Sequence, residues 1–232
     1  MQASTLGLRN VKLLVGLSAE RLEWVAASCR WWPVAADQKI VTRNSLDTEV
    51  HFIVSGRVRV TTFSAGGKRV TFRDEDAGEM FGDIAALDGK PRSADVVALE
   101  SVLVASMQSA VFLELVATEQ IVRERVLRRL ANLVRLLSDR VIELSTLGVQ
   151  NRIHAELLRL ARQTGASGTQ ASIDPAPKHL DVASQVSTNR EQVTRELSLL
   201  VRQGLLARDG RALVLLDVPR LERMVHEVRN ST

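Results

Sequence analysis

Two stretches of this 232-residue chain hold residue types that could do chemistry. The first is Gly78-Glu79-Met80-Phe81-Gly82-Asp83-Ile84-Ala85-Ala86-Leu87-Asp88-Gly89-Lys90-Pro91-Arg92-Ser93-Ala94-Asp95. Arg92 can grip a phosphate through its planar guanidinium fork, and Ser93 adds a hydroxyl beside it. Asp83 is a carboxylate acceptor nearby, and a lone acceptor next to a phosphate site suits a ribose hydroxyl. Gly82 lets backbone approach a ligand, and a short helix starting near Asp83 would aim free N–H groups at an anion. One phosphate charge and one free 2′-hydroxyl describe a 3′,5′-cyclic nucleotide, which this set matches. The same residues also read as a surface turn closed by an Asp–Arg ion pair.

The second stretch runs from Leu180 to Leu197 and has the pattern of a helix-turn-helix. Ala183 is small where two crossing helices must approach closely, and Val186 plugs the corner. Val193, Leu197 and Leu200 follow at i, i+4 and i+7, an anchoring stripe for a second helix. The opposite face carries Arg190, Glu191, Thr194, Arg195, Ser198 and Arg202. Gly204 ends this helix, and Arg208-Asp209-Gly210-Arg211 supplies a hairpin turn for a wing between Leu205 and Leu216. Thr188 with Glu191 fits a capping box, and Glu191 with Arg195 an i,i+4 ion pair. Neither accounts for a helix that exposes three arginines beside a wing, so the expected chemistry is DNA recognition.

The elements that must position these residues follow from periodicity. Ser18 to Arg30 reads as a helix with Ser18 as N-cap. After Pro33 the period shortens to two: Arg57 to Phe63 alternates, Ala65 to Lys68 is a turn, and Val70 and Phe72 resume. Ala94 to Ala98 and Val102 to Met107 are further β-rich runs, so a β-sandwich or jelly roll is expected. From Ser109 the chain turns helical for over 35 residues. Leu127, Val134 and Val141 recur there every seven residues, and so do Leu130, Leu137 and Leu144. So narrow a seam, flanked by Arg128, Arg129, Arg135 and Arg140, predicts a parallel homodimer rather than a helix packed only on its own domain. Asn151 to Gln163 is a further helix, Thr164 to Pro177 a Gly/Ser/Pro-rich loop, and Val218 to Arg229 a final helix. The expected class is α+β, with three parts: residues 1–108, 109–147 and 148–232.

Composition narrows the function classes. Net charge is +4; residues 1–108 balance at 13 basic and 13 acidic, whereas residues 148–232 hold 12 and 9. The surplus lies with the helix-turn-helix, as a polyanion surface requires. Only Cys29 is present, which removes a disulfide framework, an iron–sulfur cluster and a structural zinc site. His51, His154, His179 and His226 are scattered, and no nucleophile–base pair stands out, so an enzyme is not expected. There is no covalent cofactor to expect either. Met1 to Asn10 lacks an apolar run of signal-peptide length, and no stretch is long enough to span a bilayer, so the expected location is cytoplasmic.

From about Glu20 to Asp217 the chain resembles the cAMP receptor protein (Crp/Fnr) family of bacterial transcription regulators. Phe81-Gly82-Asp83-Ile84-Ala85 through Pro91-Arg92-Ser93-Ala94 looks like its phosphate-binding cassette. Arg190-Glu191, with Val193 and Arg195, looks like its base-reading set. The resemblance implies a cyclic nucleotide effector held by Gly82, Asp83, Ile84, Arg92, Ser93 and Ala94, with Leu137 and Ser138 at the base. It implies a TGTGA-like palindromic operator, with Arg190 and Arg195 on guanines and Glu191 on a cytosine. Lys178, Asn189, Gln192 and Arg211 would hold phosphates, and RNA polymerase would be a partner. Three positions depart from the pattern. Asp83 stands where Glu is usual, Leu137-Ser138 where the cAMP-binding prototype has Thr-Ser, and Ser187 where the turn has Gly. Ser138 can donate or accept, so cAMP is favoured over cGMP only by the resemblance. The alternative is a regulator of the same fold that senses another ligand or acts without one.

Overall fold

The computed structural model describes residues 5–229 except 65, 68 and 165–167. It falls into two compact units, residues 1–133 and 134–232, described separately. In the first, helices α1 (Thr5–Leu8) and α2 (Ala19–Ala27) precede eight strands. These are β1 (Cys29–Val34), β2 (Lys39–Val41), β3 (Val50–Ser55), β4 (Arg57–Phe63), β5 (Arg69–Asp76), β6 (Met80–Phe81), β7 (Asp95–Ala98) and β8 (Val102–Met107). Helix α3 (Asp83–Asp88) interrupts them, and α4 (Ser109–Thr118) and α5 (Gln120–Thr146) follow. The division between units falls within α5.

The strands form two four-stranded antiparallel sheets, ordered β1-β8-β3-β6 and β2-β7-β4-β5. One apolar cluster (Val34, Ile53, Val58, Val60, Phe81, Val96 and Val104 among others) draws on both sheets. A second joins Phe52, Met107, Phe112 and Leu115 to the N-terminal helices and to Val122 and Val126 of α5. Burying such side chains is the main favourable term, roughly 1.5–3 kcal/mol each. This jelly roll, or β-roll, is the two-sheet architecture expected from the strand pattern.

Local signals held where the chemistry was local. Ser18 caps α2, its Oγ accepting from the Arg21 N–H at 3.1 Å. That helix ends at Ala27, however, and Cys29 opens β1 instead of completing a helix to Arg30. Pairing with β8 along Cys29↔Met107 to Val34↔Val102 outweighs the helical spacing. The Cys29 thiol is part-buried, and burial pushes its pKa up to about 12. The long helical tract is likewise two helices, broken at Glu119, which takes extended dihedrals. Ala65 and Lys68 of the expected turn lie outside the described residues.

The second unit holds α6 (Val149–Gln163), β9 (Ala171–Ile173), α7 (His179–Gln185), α8 (Arg190–Arg202), β10 (Leu206–Asp209), β11 (Ala212–Leu215) and α9 (Val218–Arg229). β9 is a correction, because the run from Thr164 to Pro177 reads as loop by composition. Its Ala171 and Ile173 are buried and pair with Leu215 and Leu213, making a three-stranded sheet β10-β11-β9. Residues 165–167 of that run lie outside the described set. A single core unites Ile153, Leu157, Val182, Ala183, Val193, Leu200, Leu206, Leu215 and Leu221. Among the described residues no helix is long and apolar enough to cross a membrane.

Candidate effector pocket and nucleic-acid interface

In the β-roll, Arg92 is 3% exposed, so its guanidinium must be satisfied from within. Its Nε donates to Asp47 Oδ1 at 2.9 Å, its Nη1 to the Gly82 carbonyl at 3.0 Å and its Nη2 to the Glu49 carbonyl at 2.7 Å. Nη2 also pairs with Asp47 and faces His51 Nε2 at 3.4 Å. Gly82 has φ +86°, and a Cβ built there would lie 2.5 Å from Arg92 Nη1 and 2.6 Å from the Glu49 carbonyl. The missing side chain therefore makes room for the arginine. His51 stacks on Phe81, with Nδ1 2.8 Å from Ser106 Oγ. Burial first, and then the Arg92 charge, push its pKa down to about 3, so the ring is neutral.

Asp83 is also buried, and it too has an internal partner. Its Oδ2 accepts from Arg129 Nε at 3.0 Å. The same guanidinium donates to Glu79 at 3.2 Å, to Glu75 at 2.8 Å and to the Met80 carbonyl at 2.6 Å. Burial alone would lower the Arg129 pKa, but the Asp83 and Glu75 carboxylates outweigh it and raise it. Sequence reading placed Arg129 only as a flank of the seam. The segment 75–83 supplies four carboxylates, three of which (Glu75, Glu79 and Asp83) meet Arg129, but no spacing ties them to position 129. Ile84 is half-buried, Ser93 exposed, and Ala94 part of the inter-sheet core.

Along α5, Leu127, Val134, Leu137, Val141 and Leu144 are 61%, 63%, 42%, 63% and 49% exposed. That is an unpartnered apolar stripe of the kind that marks an interaction surface. Leu130 differs: it packs against the β-roll core beside Val122 and Val126. Ser138 is exposed on the same helix.

In the second unit, α7 and α8 form the expected helix-turn-helix. Ala183 is 2% and Val186 1% exposed, and Val193, Leu197 and Leu200 are buried on one face of α8. Ser187 takes φ +56° in the turn, at a cost of up to about 1 kcal/mol relative to glycine. The cap is not the expected Thr188–Glu191 box. Asn189 is the N-cap, its Oδ1 accepting from the Gln192 N–H at 2.8 Å, while Thr188 is buried and bonds the Gln192 side chain. Arg190, Glu191, Thr194, Arg195, Ser198 and Arg202 are exposed together on the outer face. His154 Nε2 meets Glu196 Oε1 at 2.6 Å, a buried tie between α6 and α8. Only a charged residue within the buried stripe of α8 could have signalled it.

The wing is β10–β11, with Asp209 opposite Ala212 and Gly210 at φ +55° in the turn. Arg211 is 81% exposed and donates to Asp174 at 2.8 Å. Lys178 is exposed at the N-cap of α7. An open cleft of about 380 Å³ between α7, α8 and the wing is lined by His179, Ser198, Val201 and Arg208, among others. His179 Nδ1 lies 2.7 Å from the Thr194 hydroxyl. The two units thus define a class: a β-roll followed along the chain by a winged helix-turn-helix.

Comparison with known proteins makes the class specific. Residues 32–119 match the cyclic nucleotide-binding domain, and residues 151–224 match the Crp-like helix-turn-helix domain. The cAMP-activated global transcriptional regulator CRP of Salmonella typhimurium is 25% identical over 195 residues, 84% of this chain and 93% of that protein. A CooA variant from Carboxydothermus hydrogenoformans superposes with a TM-score of 0.80 at 20% identity, covering 93% of this chain and 95% of the other. The c-di-GMP responsive global regulator CLP of Xanthomonas campestris gives 0.71 at 18% identity, covering 85% and 99%. The chain belongs to the Crp/Fnr family of transcription regulators.

Proposed function

We propose that this chain is a homodimeric, sequence-specific DNA-binding regulator whose affinity for a palindromic operator is set by a cyclic nucleotide, cAMP in preference to cGMP. One observation carries the DNA half of the reading. The outer face of α8 holds Arg190, Glu191 and Arg195 in the open, while Val193, Leu197 and Leu200 fix the inner face to the core. Arginine can pair bidentately with guanine O6 and N7, and glutamate can accept from cytosine N4, which suits a TGTGA-like half-site. Lys178, Asn189, Gln192 and Arg211 then serve the phosphates, Asn189 and Gln192 from the capped start of α8. Two helices on a two-fold axis require half-sites about one helical turn apart. RNA polymerase is proposed as a partner on the family resemblance alone. Selection from random DNA tests the reading: a two-fold symmetric TGTGA-like consensus is expected, and an unrelated or non-palindromic one would reject it.

The effector half rests on Arg92 as phosphate anchor and Asp83 as ribose acceptor, within the matched cyclic nucleotide-binding segment. Ligand acts by binding the DNA-competent state better, so operator DNA must tighten nucleotide binding by the same factor. A second reading, in which the regulator senses another ligand or none, draws on the internal partners that Arg92 and Asp83 already have. Calorimetric titration with cAMP, cGMP and c-di-GMP, with and without operator, separates the two.

A further inference from the structure

The polar network around Arg92 is asymmetric. Three of its sides are closed by groups the fold cannot move cheaply: the Gly82 carbonyl, the Glu49 carbonyl and the ring of His51. The fourth is a carboxylate. Asp47 engages both Nε and Nη2, and its side chain is 47% exposed while that of Arg92 is 3% exposed. Among the described residues it is the one anion on this guanidinium, and its side chain is the most exposed of the partners.

The seat is built rather than incidental. The Arg92 N–H donates to the Ser45 carbonyl and the Asn44 N–H to the Arg92 carbonyl, both at 2.9 Å. The Ser45 hydroxyl donates to Asp47 Oδ2 at 2.6 Å, and Asn44 turns the chain with φ +66°. Segment 44–47 is therefore stitched to the backbone of Arg92 so that its carboxylate covers the fork. Burial acts to raise the Asp47 pKa, but hydrogen bonds from Arg92 and Ser45, with the Arg92 charge, bring it below the usual carboxylate value.

We propose that Asp47 is a specificity-determining residue: an internal carboxylate that fills the anion seat of Arg92 and that a ligand phosphate must displace. The inference rests on the reading of Arg92 as phosphate anchor. Binding then exchanges one charge-assisted pair for another, and the gain is their difference rather than the whole of one. The expelled carboxylate also stays tethered near the incoming phosphate and repels it. Weakly bound anions are rejected, and only a ligand with further contacts in the roll enters.

Asp47→Asn keeps an acceptor on the guanidinium and removes the charge, whereas Asp47→Ala vacates the seat. Two probes are applied to the full-length protein and to both variants. The first is thermal unfolding in sodium sulfate against sodium chloride at matched ionic strength. The second is calorimetric titration with cAMP. Sulfate is expected to raise the melting temperature of the variants beyond its effect on the wild type, and cAMP to bind them about tenfold tighter. Either gain supports the assignment; variants that show neither overturn it. If sulfate stabilises the variants selectively while cAMP binds no form, the cyclic-nucleotide reading fails and the Asp47 assignment stands. If cAMP binds the wild type and the variants show no gain from either probe, the reverse holds.

Discussion

The arginines proposed to meet phosphate and those proposed to meet bases live in opposite environments. Arg92 is buried and fully engaged by Asp47 and two carbonyls, whereas Arg190 and Arg195 stand in solvent on α8. Water satisfies an exposed guanidinium, so the recognition helix can wait for DNA at no cost. A buried one has no water and must carry a protein anion until a ligand supplies another. On the proposed reading the sensor is a competition inside the protein, and the reader is an open surface.

The contrast makes unequal mutations. Arg92→Ala should be the most damaging, because it strands the Gly82 and Glu49 carbonyls as well as removing the phosphate anchor. A loss of about 2–5 kcal/mol is expected in urea unfolding, with nucleotide binding abolished. Wild-type stability and affinity would erase the distinction between the two sites. Next comes the exposed stripe of α5. Val134→Lys with Val141→Lys touches no core residue, yet should weaken the proposed dimer by roughly 3 kcal/mol or more. Sedimentation velocity should show monomers that have lost operator binding.

On the reading surface, Arg195→Ala should cost about 1–3 kcal/mol and relax preference at one base position, with unfolding unchanged. Binding to a library of single-base operator variants measures both. His51 sharpens the buried side through pH. Its folded pKa of about 3 lies below its ordinary 6.5, so the unfolded chain binds the extra proton in that window. Stability is complete above the ordinary value and falls as pH drops through it, by about 2 kcal/mol between pH 7 and 5. His51→Gln should flatten that slope in urea titrations. The smallest effect is expected at Arg211, which is mostly exposed and held only by a surface pair with Asp174. Arg211→Ala should weaken all DNA sequences alike and reduce the salt dependence of binding by about one ion.

Much of the architecture was legible because it rests on short-range pattern. Ser18 as a cap, the stripe of Val193, Leu197 and Leu200, and the exposed basic face of α8 are each set by neighbours within a few turns; the run from Arg57 to Phe63 forms a strand as its pattern predicts, though Val58 to Thr61 are buried on both faces. The misreadings have a common cause in long-range pairing. Cys29 joins a strand because Met107 lies opposite it, and Ala171 to Ile173 become β9 because β11 offers an edge. Leu130 fits the heptad as well as Leu137 does, and only the fold decides that it faces the β-roll. The candidate site was legible in its residue types but not in their partners. Asp47 and Arg129 lie 45 and 46 positions from Arg92 and Asp83, and no spacing rule connects them.

The lone thiol has a use of its own. Cys29 sits at the start of β1 with its pKa pushed up to about 12, so the folded chain presents almost no thiolate at pH 8. Once β1 peels from β8, the thiol returns to its ordinary acidity and reacts. The second unit contains no cysteine. The rate at which an aromatic disulfide labels the protein should therefore rise as β1 opens, with no engineered probe and no cysteine in the second unit to add a signal.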